Sequence, residues 1–190
     1  MSTAAVQPLL AAFDQLSTTY LRDEVDAALR LQAELTPHLV AIIEAIAESP
    51  VTYAMAGHNA HVYAASLLAH FREPAAHAPL LRAFAIDEEM LIVLWGDMTT
   101  ETLPSLLYQT CAGALDGIMD LVRNREADQY ARCAAMEALS YAVAFDPRRR
   151  DEVVGFLQGL FTGEEAAPDS YFWGNLAATF RAAPFGRYFL

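Results

Sequence analysis

The chain has 190 residues, 55% of them apolar and 19% charged, with a formal net charge of −12. That length suits one domain burying roughly 70% of its unfolded surface, the composition is too apolar for disorder, and the acidic balance repels phosphate and so argues against nucleic-acid binding. The twelve basic residues are all arginine, which excludes Schiff-base, pyridoxal-phosphate and Walker-type phosphate-loop chemistry, each of which depends on a lysine.

Val6, Leu9, Leu10, Phe13 and Leu16 fall on one helical face, so a first helix is expected over Val6–Leu16. Asp14 interrupts that apolar pattern and no positive charge precedes it, so the segment does not read as a signal peptide. A weaker second helix is expected over Arg22–Glu34. Thr36-Pro37 reads as a helix start, because a side-chain oxygen can cap free amides and proline is pre-set for a first turn. Leu39, Ile42, Ile43 and Ile46 form its inner face, and Ser49-Pro50 stops it. Val51–Asn59 reads as a short helix or a connector.

A helical pattern then occurs twice. Ala60, Tyr63, Ala64, Leu67, Leu68 and Phe71 fall at i, i+3, i+4, i+7, i+8 and i+11, and Ala131, Ala134, Ala135, Ala138, Leu139 and Ala142 follow the same template about seventy residues later. Each is followed by a second helix, with Leu80, Leu81, Ala83 and Phe84 matching Val153, Val154, Phe156 and Leu157. Paired helices recurring at multiples of roughly 35 residues indicate an all-α α-solenoid of HEAT-like hairpin repeats, an α-α superhelix. No linker divides the chain, so residues 1–190 are expected to be a single domain.

Between the two copies the pattern breaks, from Ile86 to Thr102. Asp87-Glu88-Glu89 reads as a surface run, Met90–Trp95 is apolar, and Gly96-Asp97 reads as a turn. Thr99 or Thr100 is placed to cap the next helix, with Glu101 in its positive first turn. Leu103, Leu106, Leu107 and Thr110 begin a helix expected to continue past Gly113, and Ile118–Val122 follows as a short partner. Beyond the second copy, a loop around Gly163–Asp169 precedes a last helix opening with Tyr171-Phe172-Trp173. The end, Tyr188-Phe189-Leu190, is apolar where a solenoid normally closes with a polar cap. It is expected to fold back on the last pair, to make an oligomer contact, or to mark a chain shorter than its relatives.

No apolar run approaches the ~18 residues of a membrane span, so a cytoplasmic protein without a membrane partner is expected. Cys111 and Cys133 then read as reduced core thiols. His58 and His61 are three apart and could share a helix face, yet no carboxylate has the spacing to complete a metal site. Arg148-Arg149-Arg150, after Pro147, reads as a solvated turn rather than a basic patch. No nucleophile elbow or dinucleotide fingerprint occurs. No catalytic residue, metal ligand or cofactor is therefore assigned. Trp95-Gly96-Asp97 with Thr99-Thr100-Glu101 is the most unusual local sequence: polar groups beside a large aromatic, in a break of the repeat, as functional loops often are.

Four segments in order, His61–Glu73 (HVYAASLLAHFRE), Gly96–Leu103 (GDMTTETL), Arg132–Leu139 (RCAAMEAL) and Asp151–Leu157 (DEVVGFL), resemble those of a bacterial family of HEAT-like helical proteins known only as a domain of unknown function. The resemblance covers roughly residues 20 to 175, and the Gly96–Glu101 part is the most specific. Longer members of that family often carry a C-terminal SEC-C motif, a cysteine-rich zinc module. No cysteine follows Cys133, so no zinc or secretion-related role of that module is expected here. The family implies a fold but no activity, and marks Gly96, Asp97, Thr100 and Glu101 for a shared role.

The resulting expectation is a non-catalytic α-solenoid that binds a protein or peptide on its concave face, with the acidic charge favouring a basic partner. The competing expectation is an enzyme or small-ligand receptor built around the Trp95–Glu101 interruption, with Trp95, Asp97, Thr100, Glu101, His58 and His61 as candidate binding residues. A third is a structural homo-oligomer joined through the apolar C-terminus.

Overall fold

The computed structural model describes residues 3–162 and 170–181. Among the described residues there are thirteen α-helices, two 3₁₀ turns and no strand, so the protein is all-α. The helices are α1 (Thr3–Phe13), α2 (Arg22–Arg30), α3 (Gln32–Glu48), α4 (Pro50–Met55), α5 (His61–His70), α6 (His77–Phe84), α7 (Glu88–Leu94), α8 (Met98–Glu101), α9 (Leu103–Thr110), α10 (Asp116–Arg123), α11 (Gln129–Phe145), α12 (Arg150–Thr162) and α13 (Ser170–Arg181). None is long and apolar enough to cross a membrane.

Both expected helix pairs are present, α5 with α6 and α11 with α12. Their turns are built alike. An acidic residue precedes a proline, Glu73-Pro74 in one and Asp146-Pro147 in the other, and opens a 3₁₀ turn. Glu73 Oε1 accepts the Ala75 N–H at 3.0 Å, and Asp146 Oδ1 accepts the Arg148 N–H at 3.2 Å. Each acid thus satisfies an amide left without a helical partner, while proline has no amide to satisfy. Arg148-Arg149-Arg150 lies at this second turn. Arg148 pairs with Asp146 at 2.8 Å and Arg149 with Glu152 at 3.1 Å, so the run is locally balanced rather than a basic patch.

The helices lie in two contacting rows. One runs α5, α9, α11, α13, each touching the next; the other runs α3, α6, α10. The longest helices tie the rows together: α3 lies on both α5 and α6, and α11 on both α9 and α10. One continuous core results, from Val6 on α1 to Leu176 on α13. Ala60, Ala64, Leu67 and Leu68 of the first repeated pattern, and all six residues of the second, are buried.

Several boundaries differ from expectation, each for a local reason. α1 ends at Phe13, and Leu16, expected on its apolar face, is 87% exposed; Asp14 instead reaches across to cap α5. The segment Arg22–Glu34 is split at Leu31, and α3 starts at Gln32, so Thr36-Pro37 lies inside the helix. Thr36 Oγ1 does not cap. It donates to the Gln32 carbonyl at 2.8 Å, and burial of Leu35 holds the extra turn in place. α9 stops at Thr110 instead of passing Gly113, because Ala112 (φ 49°) and Gly113 (φ 85°) turn left-handed. The break from Ile86 to Thr102 holds two short helices, α7 and α8. The Gly163–Asp169 loop and the Pro184–Leu190 tail lie outside the described residues.

These packing assignments predict opposite results for two leucines. Leu139→Ala, fully buried on α11, should cost about 2–5 kcal/mol. Leu16→Ala should stay within about 0.5 kcal/mol of wild type. Urea unfolding of the two variants checks the pair.

Candidate functional site

The six candidate residues separate into a buried joint and an exposed rim. Asp87 opens α7, its Oδ1 accepting the Met90 N–H at 3.0 Å, so that Leu91 and Leu94 turn inward. Trp95 follows and is 3% exposed. Its indole N–H donates to the Ala83 carbonyl at 3.0 Å, and its ring stacks on Phe84 with centroids 4.1 Å apart. Trp95 is therefore a packing anchor with its polar atom already used. Gly96 (φ 48°) then turns the chain into α8.

Asp97, Thr100 and Glu101 all face solvent. The expected capping by Thr99 or Thr100 does not occur. Thr99 is buried and its hydroxyl has no partner; Thr100 Oγ1 donates to the Asp97 carbonyl at 3.3 Å. The one-turn helix α8 intervenes, and the residue ahead of α9 is Thr102, whose side chain makes no cap bond.

His61 is the first residue of α5 and is 4% exposed. Its Nε2 lies 2.6 Å from the Leu94 carbonyl. A carbonyl only accepts, so Nε2 carries the proton and the buried Nδ1, which has no partner, is bare. The ring meets Trp95 edge-on at 5.0 Å and Tyr53 at 5.4 Å. Burial pushes its pKa below the ordinary imidazole value and outweighs the opposing pull of the Leu94 carbonyl and of Asp14.

His58 is exposed, with Nδ1 2.7 Å from Asp14 Oδ2. The other carboxylate oxygen accepts the amides of Asn59 at 2.9 Å and Ala60 at 3.2 Å, so Asp14 caps α5 from the end of α1. Partial burial raises the Asp14 pKa, but the hydrogen bonds from His58, Asn59 and Ala60 together lower it further, leaving it below the ordinary carboxylate value. Asp14 matters more to the site than sequence reasoning allowed. Its signal was an acid inside an otherwise apolar helical pattern. His58 and His61 bond different partners, and among the described residues no group of three or more His, Cys, Asp or Glu could hold a metal ion. Beside the Asp14–His58 pair a hollow of about 470 Å³ opens between α1 and α3, floored by Leu10, Ala41 and Ile42.

A second concave region crosses the row α5–α9–α11. One hollow of about 300 Å³ is lined by Arg72, Tyr108, Gln109, Cys111 and Arg149, and another of about 490 Å³ by Ser66, His70, Arg72, Ser105 and Gln109. Arg72 and Gln109 line both, so the two hollows adjoin and are together called the trough. At one end Tyr108 stacks on Phe145 at 5.2 Å, and Phe145 is 72% exposed. Arg149 is committed, donating to the Gly113 carbonyl at 2.8 Å and pairing with Glu152. Arg72 (φ 53°) makes no ion pair among the described residues.

An all-α protein whose candidate residues divide between a buried joint and a solvent-facing rim is the class these features define. Residues 5–183 match the family described as "Protein of unknown function (DUF1186)", and the chain belongs to that family. It is similar to a protein described as uncharacterized from Chlamydia trachomatis serovar D, 26% identical over 159 residues that cover 83% of this chain and 63% of the relative. It is equally similar to one from Chlamydia muridarum, 26% identical over 159 residues covering 83% of this chain and 64% of that relative. The chain thus spans less than two thirds of the length of these curated relatives. No solved structure matches it.

Two predictions follow the joint. Trp95→Phe leaves the buried Ala83 carbonyl without its donor and should cost about 1–3 kcal/mol, read by urea unfolding. His61 and His77 are both held below the free imidazole value by burial, so the unfolded chain takes up protons near pH ~6.5 that the folded chain refuses. Their contribution is complete above that pH and is lost as pH falls below it. Unfolding free energy should therefore drop between pH 7.5 and 5, and His61→Gln should flatten that slope.

Proposed function

We propose that this protein is a non-catalytic, HEAT-like α-solenoid of the bacterial cytoplasm that binds a protein or peptide segment in the trough across α5, α9 and α11. The observation that carries the reading is a pair of adjoining hollows, both lined by Arg72 and Gln109, that together border three successive helices. Helices packed ~8–10 Å apart give the trough a length of ~20–30 Å, enough for six to nine extended residues at ~3.3 Å each. The stack of half-buried Tyr108 on exposed Phe145 at its end is the kind of aromatic anchor that dominates peptide recognition. The repeated acid–proline turns support the solenoid reading, since they mark the same structural unit twice.

The Trp95–Glu101 interruption supports catalysis poorly. The polar atom of Trp95 and the Nε2 of His61 are bonded to main-chain carbonyls, and Asp97 and Glu101 remain in solvent. A small-ligand site has one observation in its favour: the Asp14–His58 pair beside the apolar α1–α3 hollow.

A library of nine-residue peptides on a solid support tests the reading. The wild type should select a definable subset. Tyr108→Ala or Phe145→Ala should weaken binding by about 2 kcal/mol, or about thirtyfold. Failure to select any peptide, or selection indifferent to both variants, overturns the trough as the binding site.

A further inference from the structure

We infer that the outer face of α4 and α7, with the acidic residues of α8 following in the chain, is a second docking surface that suits a basic amphipathic helix. It shares no lining residue with the trough and stands independently of it.

The face exposes four large aliphatic side chains: Met55 is 83%, Ile92 64%, Val93 60% and Val51 52% exposed. α4 and α7 touch each other. Both press inward on the same buried ring, α4 through Tyr53 and the end of α7 through Trp95, each edge-on to His61. Val51 and Met55 lie one turn apart on α4, and Ile92 and Val93 are neighbours on α7, so two exposed aliphatic pairs stand on adjoining helices. Scattered single aliphatics are ordinary on a surface, whereas a contiguous set on two adjoining helices marks an interaction site.

The rim is acidic. Asp87, Glu88, Glu89, Asp97 and Glu101 are all exposed, and none is in an ion pair among the described residues. Glu89, Ile92 and Val93 lie at i, i+3 and i+4, so charge and apolar surface run along one helical stripe. This combination selects the occupant. A second copy of the chain would set the same carboxylates against themselves, and an anionic lipid surface would be repelled. A helix with an apolar stripe at i, i+3, i+4 and i+7, flanked by basic residues, fits both the patch and its rim.

The probe is a fluorescent Leu/Lys model peptide with its leucines at helical spacing. A scrambled Leu/Lys peptide of the same composition and a Leu/Glu counterpart run beside it, and binding is read by anisotropy. The striped basic peptide should bind the wild type, and the other two should bind at least about tenfold more weakly. Ile92→Asn/Val93→Asn should lower affinity for the striped peptide about tenfold, as should Asp97→Lys/Glu101→Lys. Asp23→Lys/Glu24→Lys on the remote α2 should leave affinity unchanged. All the substituted residues are exposed except half-buried Glu24, and unaltered thermal melts confirm that the variants fold. Equal binding of the scrambled peptide, an equal effect of the α2 reversal, or no binding at all overturns the inference. So does a wild-type dimer in sedimentation that Ile92→Asn/Val93→Asn dissolves, which would assign the face to self-association.

Discussion

The buried face of α11 is the constraint on which the other helices depend. Five of its ten buried residues are alanines, at positions 131, 134, 135, 138 and 142. Alanine fills little space and loses no side-chain entropy in a helix, so α9 and α10 can approach the α11 backbone closely from both rows. The same helix carries Arg132, 5% exposed, whose Nε donates to the Val122 carbonyl at 2.9 Å and whose guanidinium lies 4.1 Å from the centre of the Phe172 ring. One buried cation thus joins the end of α10 to the start of α13. A buried charge is tolerated only when it is hydrogen-bonded or stacked, and breaking its contacts is expensive. That makes the register of α13 on α11 a chemical requirement as well as a steric one.

The interruption between the repeated pairs works differently. α7 and α8 are too short to be stable helices alone. α8 packs on α9 and α11, while the end of α7 is attached by two side-chain N–H groups that reach main-chain carbonyls: His61 to Leu94 and Trp95 to Ala83. Both donors are buried among aromatic rings, where a hydrogen bond is strong and a lost one costly. The joint consumes the residues that look most chemical in sequence. In doing so it fixes the outward faces of α4 and α7 side by side. The conspicuous aromatic and histidine are thereby buried, and the aliphatic and acidic residues around them are what the segment presents to solvent.

The polarity of the two surfaces gives the net charge of −12 a spatial meaning. The trough is lined by Arg72, Arg149 and His70 with the carboxylate of Asp146, itself tied to Arg148. The α4–α7–α8 face carries unpaired carboxylates. One chain therefore presents an aromatic, mildly basic trough and an apolar, acidic patch.

By itself the sequence determined the all-α class, the two helix pairs, the stop at Ser49-Pro50 and the exposure of Asp87-Glu88-Glu89. Each of these depends on local spacing, proline geometry or solvation of charge, and so is written in a few consecutive residues. Tertiary structure alone decided which polar groups meet. Asp14 caps a helix 45 residues away through Asn59, and Thr36-Pro37 yields to the burial of Leu35. His58 and His61, three apart in sequence, part to Asp14 and Leu94. Arg72 and Gln109 come together only where two hollows join. Such meetings arise from packing between distant segments. Periodicity reports which face of a helix is buried, but not which neighbour covers it.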